Sequence, residues 1–500
     1  MVRIRVDWRA SFDLTGRVLL YLAIPLCFPL GVAVYYGEPL VPFLAAIVVT
    51  LSVGSAFRQL PGAPGELGPR AAFLAVSLIW LLVAGVGAVP FYVAGTGTIA
   101  HPVDAMFESM SGLTTTGATV LRDFSIHDRS IMMWRQTLQW LGGLGILVLA
   151  TAILSELDVG GAQLMETETR TRNVNKLTPR ISRTAQLLWG LYGGLTVLAA
   201  AVFYALHVAG LAPNMTLYNA VAHALTSVST AGFSPEPESI GAFRPIVQWA
   251  VVPFMLVGSI SFVLLYLAIN GRPGRLIRNE ELQFFLGFVA LAAIVVAVAI
   301  RNDPSTGHGV EGTARHAIFN VASIVTTTGY ASTDFELWSP AAKHVLFLCM
   351  FIGGMTGSTT CSIKSLRWLV ALKSLKRGLF TSAHPDAVRP VRVSGDPVDE
   401  ETIRDIYGYL LLSLIVFTVF AVFIVVDGSR MNEAVTEFEA LGGAASTVLN
   451  IGPAFGDAGP YGSYASFPRT TRLAMVILMW VGRIEFVPVL VLITKAFWTA

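Results

Sequence analysis

The stretch Thr114-Thr115-Thr116-Gly117-Ala118 returns, almost letter for letter, as Thr326-Thr327-Thr328-Gly329-Tyr330. Two looser relatives are Val228-Ser229-Thr230-Ala231-Gly232 and Val448-Leu449-Asn450-Ile451-Gly452. Each follows a short amphipathic run and precedes a long apolar one. The glycines stand at 117, 232, 329 and 452, spaced by 115, 97 and 123 residues. A Thr/Gly stretch repeated four times between hydrophobic segments implies exposed backbone gathered four times around one axis. That is the plan of an ion selectivity filter.

Composition sets the medium in which this happens. Five hundred residues would suffice for two or three soluble domains. With 54% hydrophobic residues, 13% charged and a mean hydropathy of +0.65, however, the chain cannot build an ordinary solvated surface. Many stretches exceed the roughly 18 apolar residues that mark a spanning helix, so the expectation is an all-α polytopic membrane protein. A net charge of +2 and the lack of a basic, aromatic-interleaved patch argue against a nucleic-acid partner. Cys27, Cys349 and Cys361 lack CxxC spacing and read as small buried hydrophobes, and the eight histidines show no ligand spacing. Arg3, Arg5, Arg9 and Arg17 before an apolar run imitate a secretory leader. No A-x-A-like site ends that run, and it is read as a retained first helix.

In chain order, residues 1–60 form an N-terminal transmembrane hairpin, followed by four repeats at 71–155, 185–270, 284–377 and 403–500. Each repeat has a long helix, a short segment, its Thr/Gly stretch and a second long helix. The second helices are expected at 131–154, 245–269, 341–370 and 471–498. The short segments (101–113, 215–227, 313–325 and 431–447) hold about 11 to 17 residues, reaching roughly 16–25 Å of a ~30 Å hydrocarbon core. They must enter and return on one side, which non-helical backbone survives only in protein or against a water-filled cavity. All four repeats therefore share one orientation, unlike inverted-repeat transporters. With a cytoplasmic N-terminus, 22 of the 34 Lys and Arg residues fall inside and ten outside. The other two, Lys364 and Arg483, lie within apolar segments. The bias supports that orientation, with the Thr/Gly stretches opening outward.

A potassium filter replaces the ion's hydration shell with backbone carbonyls. Glycine permits the unusual dihedrals and close approach this needs. The expected metal ligands are the carbonyls of Thr115, Thr116 and Gly117; Thr230, Ala231 and Gly232; Thr327, Thr328 and Gly329; and Asn450, Ile451 and Gly452. One copy alone would read as a helix end.

Over essentially its full length the chain resembles the Trk/Ktr/HKT superfamily of potassium transporters, specifically the TrkH type. The matching residues are Glu108-Ser109-Met110-Ser111-Gly112, Trp134-Arg135-Gln136, Gln139 through Ile146 and Asn450-Ile451-Gly452-Pro453. The resemblance implies a pseudo-tetrameric pore in one chain, homodimers, a cytoplasmic nucleotide-binding subunit of the TrkA type, and potassium as the transported ion. It also implies an inner-membrane location. In plant relatives a serine at the first filter glycine goes with sodium transport, so four glycines favour potassium.

Gly353-Gly354-Met355-Thr356-Gly357 through Lys364 interrupts the second helix of the third repeat. Small residues there could serve close helix packing. The resemblance implies an unwound gating loop under the filter, with Thr360-Cys361-Ser362 where relatives carry more glycine. Arg483 sits about 18 Å from either end of its helix, too deep to snorkel. It is either a barrier to cations beneath the filter or a carbonyl or ion-pair contact between helices. Glu485 points to another face. The mixed-charge segments 156–183 and 373–404 read as solvated linkers or as a docking surface for the regulatory subunit. A proton- or sodium-coupled secondary transporter is the alternative function. A membrane-embedded enzyme would need a nucleophile–base or metal constellation that the sequence lacks.

Overall fold

Hydrocarbon offers no hydrogen-bond partners, so the apolar runs close their backbone bonds within themselves as helices. The computed structural model describes residues 6–60, 68–152, 181–306, 309–431 and 435–498. The helices are α1 (Trp8–Tyr36), α2 (Val41–Arg58), α3 (Pro69–Gly87), α4 (Val89–Ala94), α5 (Pro102–Leu113), α6 (Arg129–Ala152) and α7 (Ile181–Val208). Then come α8 (Leu217–Val228), α9 (Pro245–Gly258), α10 (Phe262–Ile269), α11 (Pro273–Ile277), α12 (Glu280–Ile300), α13 (Val310–Val325) and α14 (Pro340–Cys349). The chain finishes with α15 (Ser365–Ala383), α16 (Glu400–Arg430), α17 (Glu437–Val448), α18 (Arg469–Ile484), α19 (Val487–Ile493) and α20 (Lys495–Trp498). A two-stranded antiparallel hairpin pairs Arg392 with Pro397 and Val393 with Asp396. Six of the described helices are long and apolar enough to cross a membrane.

The short segments expected from sequence are α5, α8, α13 and α17, and each ends on its Thr/Gly stretch. Local chemistry starts them: Pro102 follows His101, Thr216 and Thr436 cap α8 and α17, and Thr436 with Glu439 forms a capping box. The N-terminal hairpin closes on small residues, because a Cβ at Gly16 would stand 2.8 Å from the Gly54 carbonyl.

Two long helices expected as continuous are broken. The segment 245–269 bends by 102° between α9 and α10. There the Gly258 and Ser259 carbonyls accept hydrogen bonds from Thr359 N (3.2 Å) and Met355 N (2.9 Å) instead of continuing their own ladder. The segment 471–498 stops at Ile484, where Glu485 takes a left-handed φ of 61° and bonds Arg367 at 2.6 Å. The break expected in the third repeat is present, with non-helical backbone joining α14 to α15. Segment 156–180 lies outside the described residues.

A second set of glycines holds the short helices in place. A Cβ at Gly142, Gly258 or Gly482 would overlap or crowd the carbonyl of the last residue of α5, α8 or α17: Leu113, Val228 and Val448. Backbone meets backbone at these three points. In the third repeat the corresponding helix is unwound. Gly142→Val should therefore lower the thermal midpoint of the purified protein in detergent, by the ~1–3 kcal/mol typical of overpacking. Gly193→Val, whose Cβ would meet nothing within 4 Å, should not. Equal midpoints would remove the case for this contact.

Candidate functional site

The four Thr/Gly stretches share one backbone conformation. Thr115, Thr230, Thr327 and Asn450 all have φ between 50 and 55°, and Gly117, Gly232, Gly329 and Gly452 have φ between 76 and 112°. A β-branched residue in the left-handed region is a genuine outlier costing about 1–3 kcal/mol, held only where its surroundings impose it. The imposing bonds recur. Thr116 N donates to Ser111 O, Ala231 N to Thr226 O, Thr328 N to Ser323 O and Ile451 N to Ser446 O, all within 2.8–3.0 Å.

The stretches also close into a ring. A Cβ at Gly117 would overlap Ala231 O, one at Gly232 would overlap Thr328 O, and one at Gly329 would overlap Ile451 O. A Cβ at Gly452 would crowd Thr116 O at 2.7 Å, returning to the start. Glycine is required at each corner by approach as well as by dihedral. All four glycines line one pocket with Thr119, Phe233, Pro453 and Tyr464.

Of the twelve carbonyls expected as ligands, Ala231 O accepts from Gln139 Nε2 at 2.6 Å. Gly452 O accepts from Ser446 Oγ and Tyr464 Oη at 2.7 and 2.8 Å. The other ten accept no hydrogen bond from any described residue. The Asn450 side chain turns sideways to Thr116 Oγ1 (2.8 Å) and Met479 O (2.9 Å).

Supports that no repeated string advertises stand behind the ring. Six residues before each glycine is a hydroxyl: Ser111, Thr226, Ser323 and Ser446. Three of them bond the chain beyond the turn at Ala118 O, Tyr330 O and Gly452 O, while Thr226 meets the Tyr330 hydroxyl. Nine residues before the glycine, three different side chains do one job. Glu108 accepts from Val120 N (2.9 Å) and Thr119 Oγ1, His223 bonds Ser234 Oγ (3.0 Å), and Asn320 bonds Ser332 Oγ (3.0 Å). The fourth position is Gly443. Arg135 neutralises Glu108 at 2.7 Å, with both side chains at most 1% exposed, and it also reaches Ser234 O.

The 350–364 segment lies directly against one end of the ring. Thr359 Oγ1 bonds Thr230 Oγ1 (3.0 Å), Cys361 N donates to Thr327 Oγ1 (3.0 Å), and Ser362 N donates to Leu449 O (3.1 Å). Cys361 Sγ stands 3.7 Å from Thr115 Oγ1. One loop thus touches all four stretches or the residue beside them. Gly353 and Gly354 allow its return, since a Cβ on either would clash with loop or α9–α10 backbone, and Gly357 has φ 80°. Lys364 Nζ bonds Thr360 O and Oγ1.

Arg483 is 2% exposed and donates to Thr359 O (3.1 Å), Cys361 Sγ (2.6 Å) and Gly142 O (2.8 Å). It therefore ties the loop to α6 through these bonds. Glu281 holds the other end of the loop. Its Oε1 accepts from Thr356 N (2.8 Å), Ser365 Oγ and Leu366 N (both 3.1 Å), capping α15. Neighbouring Glu280 pairs with Lys373 and accepts from Ser394 N of the hairpin. Among the described residues no group of three His, Cys, Asp or Glu is placed to hold a metal ion, and the three cysteines are free.

Residues 41–498 match the family model TrkH, described as a cation transport protein. The chain is 34% identical to the Trk system potassium uptake protein TrkH of Halomonas elongata, covering 98% of this chain and 99% of that one. It is 33% identical to TrkG of Escherichia coli K12 over 94% of each. The crystal structure of the potassium transporter TrkH from Vibrio parahaemolyticus superposes with a TM-score of 0.86 at 29% identity, covering 98% of this chain and 99% of that one. Its buried ring, its broken helices and these relatives agree that the chain is an integral membrane protein belonging to the TrkH family of cation transport proteins.

Proposed function

We propose that the chain mediates potassium uptake, dehydrating the ion on the ring of backbone carbonyls and passing it through a single-chain, four-repeat pore. The observation that carries this is the set of ten carbonyls that accept no hydrogen bond from any described residue. Buried carbonyls elsewhere in proteins are more than 90% paired, so such a cluster needs a partner, and a desolvated monovalent cation is the partner it fits. The four stretches themselves contain no acidic residue, and Glu236 lines the pocket that their glycines share, so charge selection at the ring rests on oxygen dipoles. The names of the relatives, potassium uptake proteins, favour the same ion.

The 350–364 loop is the gate, and its bonds to Thr230, Thr327 and Leu449 describe a closed pathway. Arg483 and Glu281 latch it from opposite sides. Regulation would enter through the hairpin and α15, where Lys373 pairs with Glu280, the residue before the Glu281 latch. A cytoplasmic nucleotide-binding subunit of the TrkA type is the partner this surface suits. Homodimers in the inner membrane with a cytoplasmic N-terminus complete the reading.

Purified protein in vesicles should take up potassium faster than sodium and exclude an impermeant organic cation. Equal uptake of all three would refute conduction through this ring. Gly329→Ser should lower the potassium-to-sodium flux ratio, because its side chain must displace Ile451 O and Pro453; an unchanged ratio would count against the assignment of residue 329. Arg483→Ala should raise flux in the absence of any regulatory subunit. Arg483→Lys separates the two roles. A pure charge barrier predicts flux as in the parent, whereas a latch that needs the forked guanidinium predicts flux nearer that of Arg483→Ala.

A further inference from the structure

A cavity of about 600 Å³ lies between α16 and the 350–364 loop, away from the carbonyl ring. That is the size of an ordinary small-molecule site. One wall is the loop itself, through Phe351, Ile352 and Ile363, and Leu449 joins it to the fourth Thr/Gly stretch. The opposite wall is α16, from Tyr407 to Phe417.

The few polar groups around it are already used. Ser413 Oγ donates to Tyr409 O (2.8 Å), Trp368 Nε1 to Phe351 O (2.8 Å) and Tyr407 Oη to Ala371 O (3.3 Å). Water in such a space would find too few partners, and apolar cavities stay dry and take apolar guests. The rim identifies the guest. Leu348, Leu411 and Leu414 are 64%, 59% and 53% exposed, and only 17% of the apolar window of α16 is buried. In an integral membrane protein these residues face the hydrocarbon of the bilayer, which supplies unbranched chains at very high local concentration.

We propose that a straight acyl chain of a bilayer phospholipid seats in this cavity and braces the loop against the carbonyl ring. The site stands on the cavity alone, whereas the consequence for flux rests on the loop being the gate. A chain behind Phe351, Ile352 and Ile363 opposes outward movement of the segment that bonds Thr230, Thr327 and Leu449. Lipid composition then sets how readily the pathway opens.

The full-length protein is reconstituted with phospholipid carrying a photoactivatable diazirine near the middle of one chain, and adducts are mapped by mass spectrometry. Adducts are expected on peptides spanning 348–352 and 363–368. Ser413→Phe, which puts a ring into the cavity from the α16 wall and narrows it, should reduce them about tenfold, with Ser413→Leu giving an intermediate loss should the larger side chain impair folding. Labelling of the lipid-facing α1 residues Tyr21 and Ile24, 71% and 69% exposed, should not change. Potassium flux should rise severalfold in vesicles of methyl-branched chains too wide to enter, and in Ser413→Phe it should not depend on branching. Labelled α1 with unlabelled cavity walls overturns the site. So does cross-linking of Leu411→Cys to a second copy with the walls unlabelled, since the cover would then be protein. Labelled walls with flux indifferent to branching overturn the bracing while leaving the site.

Discussion

A carbonyl oxygen with no hydrogen-bond donor is expensive to bury, and this protein buries a ring of them. Folding the ring therefore depends on interactions elsewhere that overrule the local preference of the chain. Threonines at φ near 50° and glycines pressed against the next stretch's carbonyl are not conformations that five residues choose. They are imposed by the helices ending on them, by the Ser111, Ser323 and Ser446 hydroxyls that tie three of the turns back, and by Glu108, His223 and Asn320 reaching over to the outgoing chain. Remove those bonds and the carbonyls would rotate to find donors.

The same logic explains why buried charge is tolerated around the ring. Arg135 with Glu108 joins the consecutive helices α6 and α5, and Arg472 with Asp104 joins elements far apart in sequence; removing one member of a buried pair leaves the other charge uncompensated at a cost. Such pairs are weak sources of net stability but strong specifiers of position. Arg135 joins the first stretch to Ser234 beyond the second, and Arg472 joins α18 to α5. The fourth stretch, with Gly443 in place of an anchor and Asn450 turned aside, is held instead by Tyr464 and Ser446. The four walls are alike in backbone and unequal in support.

Much of this was legible in the sequence. Glycine and threonine had to recur wherever the backbone takes this shape, so the stretches at 117, 232, 329 and 452 announced themselves, as did the glycine-rich break at 353–364. The anchors did not, because glutamate, histidine and asparagine perform the same task and leave no repeated string. The packing glycines 142, 258 and 482 follow their ring glycines at drifting offsets of 25, 26 and 30 residues, which hides the pattern. The breaks at 259–261 and 485 were illegible for a different reason: the groups that divert the backbone, Met355, Thr359 and Arg367, arrive from distant segments. For Arg483 its position in the chain indicates depth but not direction, and depth alone allows both a barrier and a latch.

The loop and the ring form one system, since the 350–364 segment is bonded to Thr230, Thr327 and Leu449 of the ring stretches. Ion occupancy of the ring and the position of the loop must then influence each other. Everything here rests on the ring being where the ion sits. Crystals grown in rubidium, which shares potassium's charge and nearly its size, test that by anomalous scattering. Peaks are expected on the axis enclosed by the carbonyls of Thr115, Thr230, Thr327 and Asn450 and those just above them. Ordered rubidium elsewhere in the membrane region, with none inside the ring, would contradict it.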